Sequence, residues 1–268
     1  TDNRNFGYKL INSNENYIYT REYLVPVTQT DATAQQIQSI QFFDGLGRPK
    51  QNVSIKSSVS GKDVVTHIPY DGFGRQVDSW LPVPLATQNG NIHTVATVTS
   101  GASSTYGDSY AYAHKKLENS PLERVEEQVQ PGSNWQNKPV TFKYEANGLN
   151  EVRKFTTTTT WSNAATLSML TDSGYYGTAQ LYKNTITDED GNISIEFKNG
   201  QGQTILVRKM EGSNKIDTYY VYNEYDHLAF VIPPKSFEGA NTPTNATVQD
   251  ELLYQYRYDG RSRLVEKK

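Results

Sequence analysis

The sequence predicts an all-β fold of mainly antiparallel hairpins and meanders with one short helix. Three observations carry this. Tyr supplies 19 residues and Met only 2, beside frequent Thr, Val and Ile, a mixture that suits pleated, half-buried surfaces. Several segments alternate apolar and polar residues with period two. Asn and Gly are abundant between those segments, and both offer the backbone better alternatives than a helix.

Length and charge narrow the function. A chain of 268 residues has room for one large domain or two smaller ones with a core that needs no staples. It has no cysteine, which excludes disulfides, thiolate metal sites and cysteine nucleophiles. A net charge of -3 and a pI near 5.8 provide no long-range attraction to nucleic acid or anionic lipid. No apolar run reaches the roughly 20 residues that span a bilayer. The opening "TDNRNFGYKL" lacks an apolar signal segment, so the expectation is a soluble chain whose export signal is removed or lies outside it.

The elements follow in order. In "NYIYTREYLVP", Tyr17, Tyr19, Arg21, Tyr23 and Val25 alternate with their neighbours as a strand that Pro26 ends. "TAQQIQSIQFF", "RPKQNVSIKSS", "DVVTHIPY" and "RQVDSWLPVP" suit further strands. Residues 86–107 are small, polar and aperiodic, which predicts a long loop or linker. "DSYAYAHKKLENSP" is the helix candidate, with Asp108 or Ser109 as N-cap, Tyr110, Ala113 and Leu117 on one face, and Pro121 as a stop. Val140, Phe142 and Tyr144 alternate as a strand, and the Thr156 to Thr160 run into Trp161 is another. A meander from Leu181 to Met210, a pair closed by Pro233 and Pro234, and "LLYQYRYDGRSRLVEKK" complete the chain. Three regions result: 1–107, β-rich with two hairpins and a trailing loop; 108–180, connecting; 181–268, hairpins.

One phrase recurs. Phe43, Asp44, Gly45, Gly47 and Arg48 ("FDGLGR") match Tyr70, Asp71, Gly72, Gly74 and Arg75 ("YDGFGR"), and Tyr258, Asp259, Gly260 and Arg263 ("YDGRSR"). A fourth copy begins at Asn223, and weaker ones at Asp188 and Asn199. Asp or Asn can bond the backbone two residues on, Gly accepts positive φ, and Arg can reach back to the Asp and fix the register. The intervals are 27 (Asp44 to Asp71), 11 (Asp188 to Asn199), 24 (Asn199 to Asn223) and 36 (Asn223 to Asp259). Irregular spacing around a fixed turn predicts hairpins of variable strand length side by side rather than identical solenoid rungs. The copy at Asn223, with Glu224 and His227 replacing Gly and Arg types, is expected to turn differently.

"YDGFGRQV" and "YDGRSRLV" resemble the tyrosine-aspartate (YD) repeats of the RHS family. With "IQFFDGLGRPKQ", "SPLERVEEQVQPGSNW", "TDEDGN" and "TYYVYNEYDHLAFVIPP" in this order, the chain from about Tyr17 on is similar to the N-terminal region of RHS-repeat proteins of Bacteroidetes. That resemblance implies a segment of a large exported protein whose strands spiral into a β-shell around a C-terminal toxin or other effector. Its partners would be the downstream RHS repeats, that effector, and secretion or cell-surface proteins. It also implies secretion or cell-surface display, with the type IX route as one path. This chain contains no RHS core motif and no effector, and is expected not to close a shell alone.

Other chemistry competes with the turn role. A carboxylate pair drawn from the turn aspartates would suit a glycosidase, but equivalent copies rarely share one centre. Asp188, Asp190 and Asn192 resemble the start of a calcium loop, yet Ile193 and Asn199 stand where Gly and Glu are needed. His67, His93, His114 and His227 lack zinc spacing, and the Gly45–Gly47 and Gly200–Gly202 pairs lack a downstream phosphate-binding helix. No Gly-x-Ser-x-Gly elbow is present. Trp80, Trp135 and Trp161 would pack across strands or, alternatively, form a sugar-stacking platform. The reading is a non-enzymatic structural segment without cofactor or metal, nucleic acid binding or membrane insertion. The alternative is a cell-surface adhesin or glycan-binding module.

Overall fold

The computed structural model describes residues 14–28 and 33–268, so the opening stretch judged for a signal segment lies outside the described residues. Strand takes 46% of the chain and helix 10%, and every strand pair is antiparallel. The all-β expectation holds. Two compact units, Thr1–Pro139 and Val140–Lys268, organise the chain, a division that coincides with neither 107 nor 180.

In the first unit the strands are β1 (Asn16–Tyr23), β2 (Gln36–Phe43), β3 (Pro49–Ser54), β4 (Asp63–His67), β5 (Asp78–Trp80) and β6 (Val83–Leu85), followed by helix α1 (Val95–Tyr106), β7 (Tyr112–Leu117) and β8 (Val125–Val129). One sheet runs β1-β2-β3-β4-β6, and β7 pairs with β5 and β8. Period-two burial puts Ile40, Phe42, Val53, Val65 and Val83 inside, where α1 covers them with Val98 and Ala102. Each fully buried side chain of this kind stabilises the fold by about 1.5–3 kcal/mol.

Two expectations fail here. The segment read as a loop contains α1, capped by Thr94, whose Oγ1 accepts the Thr97 amide at 3.2 Å, and closed by left-handed Gly107. Its small residues let it lie close on the sheet: a Cβ on Gly101 would sit 2.7 Å from a Leu85 methyl. Conversely, the segment read as a helix is strand β7. Asp108 turns the chain by accepting the Tyr110 amide at 2.8 Å and the Ser133 amide at 2.6 Å. Partners on both sides then override the helical periodicity, with His114 meeting Asp78 at 2.6 Å and Lys116 meeting Glu127 at 2.7 Å.

The second unit contains β9 (Val140–Ala146), β10 (Arg153–Ser162), β11 (Ala165–Tyr175), β12 (Tyr182–Thr187), β13 (Ile193–Lys198), β14 (Thr204–Glu211), β15 (Asn214–Tyr222), β16 (Leu228–Ile232), helix α2 (Ala246–Leu252), β17 (Tyr254–Tyr258) and β18 (Leu264–Lys267). Its sheet runs β9-β12-β13-β14-β15-β16-β17-β18. The β10–β11 hairpin contributes Phe155 and Leu170 to a core shared with Phe197, Leu206, Tyr219, Val221, Phe230 and Ile232. Phe155 meets Tyr219 edge to face at 5.2 Å. Arg257 ties the hairpin tip to β17, donating to the Thr166 and Ser162 carbonyls at 2.8 and 2.7 Å. A buried guanidinium, Arg208, makes a bidentate pair with Asp217 at 2.7 Å, the geometry that offsets desolvation best.

Candidate functional site

All six copies of the phrase form the same turn. In each, the amide of the leading Asp or Asn donates to the carbonyl four residues on, and the amide three residues on donates back. For Asp44 these bonds are 2.9 and 3.1 Å, for Asp71 2.9 and 2.9, for Asp188 3.0 and 3.1, for Asn199 3.0 and 3.0, for Asn223 2.9 and 3.0, and for Asp259 3.0 and 3.0. The fourth residue is left-handed throughout: Gly47, Gly74, Gly191, Gly202, Asp226 and Ser262, with φ between 60° and 86°. This is a type I turn closed by a left-handed bulge residue, a standard hairpin connection. The Asn223 copy therefore does not turn differently, because Asp226 adopts the left-handed region that Asn and Asp tolerate. Of the two glycines in the phrase, only the second lies in the left-handed region, which Asp226 and Ser262 adopt in their own copies. Gly45, Gly72 and Gly260 lie outside the left-handed region with open space around them, and Glu224 serves in the same place.

The leading side chain locks the turn. Asp71 Oδ1 accepts the Phe73 and Arg75 amides at 2.9 Å, and its Oδ2 accepts Arg75 Nε at 2.9 Å. Asp44 repeats this with Leu46 and Arg48, and Asp259 with Arg261 and Arg263. The Arg48 and Arg75 amides hold the carboxyls of Asp44 and Asp71 below the ordinary range. The Arg263 side chain and amide bring that of Asp259 down to about 2. Asn199 keeps the amide contacts but pairs its Nδ2 with Gln203 Oε1 at 2.6 Å, and Asp188 pairs with Asn192 at 2.8 Å.

Neighbouring turns at one end of a sheet are coupled. The Gln51↔His67 pair of β3 and β4, extended three residues outward, brings Arg48 opposite Tyr70. The same three steps from Phe230↔Gln255 bring His227 opposite Tyr258, and from Leu206↔Tyr219 bring Gln203 opposite Tyr222. Contacts bear out the first two of these steps. The Arg48 guanidinium lies 4.3 Å from the Tyr70 ring centre, and the Tyr70 hydroxyl donates to the Pro49 carbonyl at 2.8 Å. His227 stacks on Tyr258 at 4.4 Å, whose hydroxyl donates to the Leu228 carbonyl at 3.1 Å. At these two steps the last residue of one turn seats the aromatic that opens the next. Asp44 and Asp71 lead one row in the first unit; Asn199, Asn223 and Asp259 lead a row in the second.

A family model matches at this point. It is described as a domain of unknown function, DUF6443, and covers residues 18–147, just under half of the chain. No curated protein matches. Among solved structures, a crystal structure of TcdB2-TccC3 is similar with a TM-score of 0.22 and 12% identity over 87% of this chain; the chain spans 14% of that one.

Several locking residues escaped the sequence reading. Ser58 leads a further turn of the same backbone pattern, with Gly61 left-handed and Ser58 Oγ accepting the Lys62 amide at 2.8 Å; the "Ser-x-x-Gly" spacing was its signal. Glu118 and Arg124 close a longer hairpin through a bidentate pair. Asp63, fully buried, accepts the Lys56 and Gly90 amides at 2.9 Å and the Thr87 hydroxyl at 3.0 Å, and Thr87 Oγ1 lies 3.2 Å from His93 Nε2. Within the second unit, a shallow groove of about 300 Å³ lies between β10 and the turns at Asn199 and Asn223, with Phe155, Tyr176, Gln201, Glu224 and Asp226 among its walls.

Proposed function

We propose that this chain is a non-enzymatic wall segment of an exported RHS-repeat protein, forming part of a β-shell that encloses or displays a C-terminal effector. The register-locked coupling of successive turns is the observation that carries this. A wall must keep strand after strand in register across a broad sheet, and a one-residue slip would turn every inward side chain outward. Here each turn fixes its own hairpin by its leading Asp or Asn, and at two steps the turn also seats the aromatic that opens the next. The aspartates support a structural role as well, since each spends both oxygens on its own turn.

Protease protection of the full-length protein tests the reading. An effector region within a shell resists digestion until the wall is unfolded. Cleavage of that region at the rate of the isolated effector overturns the proposal. The groove beside Tyr176 and Glu224 favours a second reading, a glycan-binding module, because it joins aromatic walls to amide and carboxylate groups. A glycan array separates the two: a wall retains no sugar.

A further inference from the structure

We propose that the groove between β10 and the turns at Asn199 and Asn223 binds an arginine side chain presented on an extended peptide, a guanidinium and not a sugar. The proposal goes beyond the wall reading and does not depend on it.

The charge of the groove argues first. Its apolar part comes from buried Phe155, Ile205 and Val221, and its polar part includes two carboxylates, Glu224 and Asp226, with no Lys or Arg among the lining residues. Glu224 gives one oxygen to the Thr159 amide at 3.1 Å, and Asp226 gives one to Gln203 Nε2 at 3.3 Å. Neither is in an ion pair among the described residues. The cations beside the lining are engaged elsewhere: Arg153 is paired with Asp172, and Lys154 Nζ lies 5.7 Å from the Tyr176 ring centre. Two carboxylates without a base repel an anionic ligand and favour a cation.

Asn223 adds a second requirement. It lines the groove and is 5% exposed. Its Oδ1 accepts the Tyr225 and His227 amides at 3.0 Å, while its Nδ2 has no partner. A buried donor left unmet costs about 1–3 kcal/mol, so the occupant that completes the groove brings an acceptor as well as a cation. An arginine residue in a peptide has both, a carbonyl beside a planar donor fork that matches carboxylates and stacks on rings.

The chain itself uses that fork in this way. Arg48 and Arg75 each pair with a turn aspartate and lie 4.3 and 5.2 Å from the ring centres of Tyr70 and Phe73. Buried Arg208 pairs with Asp217 and lies 5.7 Å from that of Phe197. At the Asn223 turn, Glu224 and Asp226 stand where the copies at Asp44 and Asp71 have glycine, and His227 stands where they have arginine. The backbone bonds of the turn are the same, so the fold does not account for two added carboxylates and a missing guanidinium.

Acetyl-arginine methylamide is the probe, titrated into the intact chain and followed by backbone NMR. Saturable shifts are expected in residues 155–157, 199–203 and 220–226. The citrulline analogue, which has the same shape without the charge, should bind about tenfold more weakly, the size of one charge-assisted hydrogen bond. Agmatine, a guanidinium without the carbonyl, should bind about fivefold more weakly, the size of a neutral one. Glu224→Gln in the protein should weaken the arginine probe. Asp226→Gly, which restores the glycine of the other copies, should weaken it without lowering the urea midpoint, and so separates the site from the fold. Absence of saturable binding, equal affinity for citrulline, equal affinity for agmatine, or shifts confined to other residues would each overturn the proposal. Glucose shifting these residues where the arginine probe does not would overturn it in favour of the glycan reading. None of these results bears on protease protection of the full-length protein, so the wall reading is tested apart.

Discussion

Gly72 and Gly74 stand two residues apart in one phrase, yet they do different work. Gly74 has φ near 82°, and a Cβ there would also meet Arg48 Nη1 at 2.7 Å, whereas Gly72 has open space and ordinary backbone angles. Gly74→Ala should therefore destabilise the chain by about 1–2 kcal/mol, and Gly72→Ala should change stability little; urea midpoints of the two variants check this. The turn aspartates also predict a pH effect. Because the folded pKa of Asp259 is lowered to about 2, its lock contributes stability above the ordinary aspartate pKa of about 3.9 and loses it as pH falls toward 2. Asp259→Asn retains the amide acceptor, as Asn199 does, but not the ion pair. Its denaturation midpoint should depend less steeply on pH between 4 and 2 than that of the parent chain. A parallel slope would remove the ion pair from the account.

Strands were legible in the sequence where alternation and turn chemistry agreed. Tyr17, Tyr19 and Tyr23 lie on the half-buried side of β1, and Pro233 follows the end of β16. Helices were not legible, for physical reasons. In α1, Val, Thr, Ser and Gly have modest helix propensity, and what holds the helix is burial of Val98 and Ala102 at a close approach that only Gly101 permits. In β7 a helix-compatible sequence is held extended by β5 and β8. Such partners are long-range facts that a local window does not contain. Gly101→Leu should push α1 off Leu85 and Val83 and cost about 1–3 kcal/mol by overpacking, read as a lowered thermal midpoint with hydrogen exchange accelerated in residues 95–106. Unchanged exchange there would show that the close approach is not what seats the helix.

Across each unit, the repeated turn matters through its neighbours. The phrase itself, with its Asp lock and Arg pin, was visible in Asp44, Asp71 and Asp259, and the structure adds the constancy of the step between strands. Intervals of 27, 24 and 36 residues hide that constancy, because the intervening strands, turns and helix differ in length while the offset from turn to next aromatic does not. The Asn223 copy shows how much variation the step absorbs: Glu replaces the first Gly, Asp the second and His the Arg, yet His227 still receives Tyr258. The central claim is that turns are coupled through this seat, and a double-mutant cycle between Arg48 and Tyr70 tests it most directly. Arg48→Ala, Tyr70→Leu and the pair, compared by chemical denaturation, should show a coupling energy of about 0.5–1 kcal/mol. Strictly additive losses would contradict the account, leaving each turn an independent hairpin.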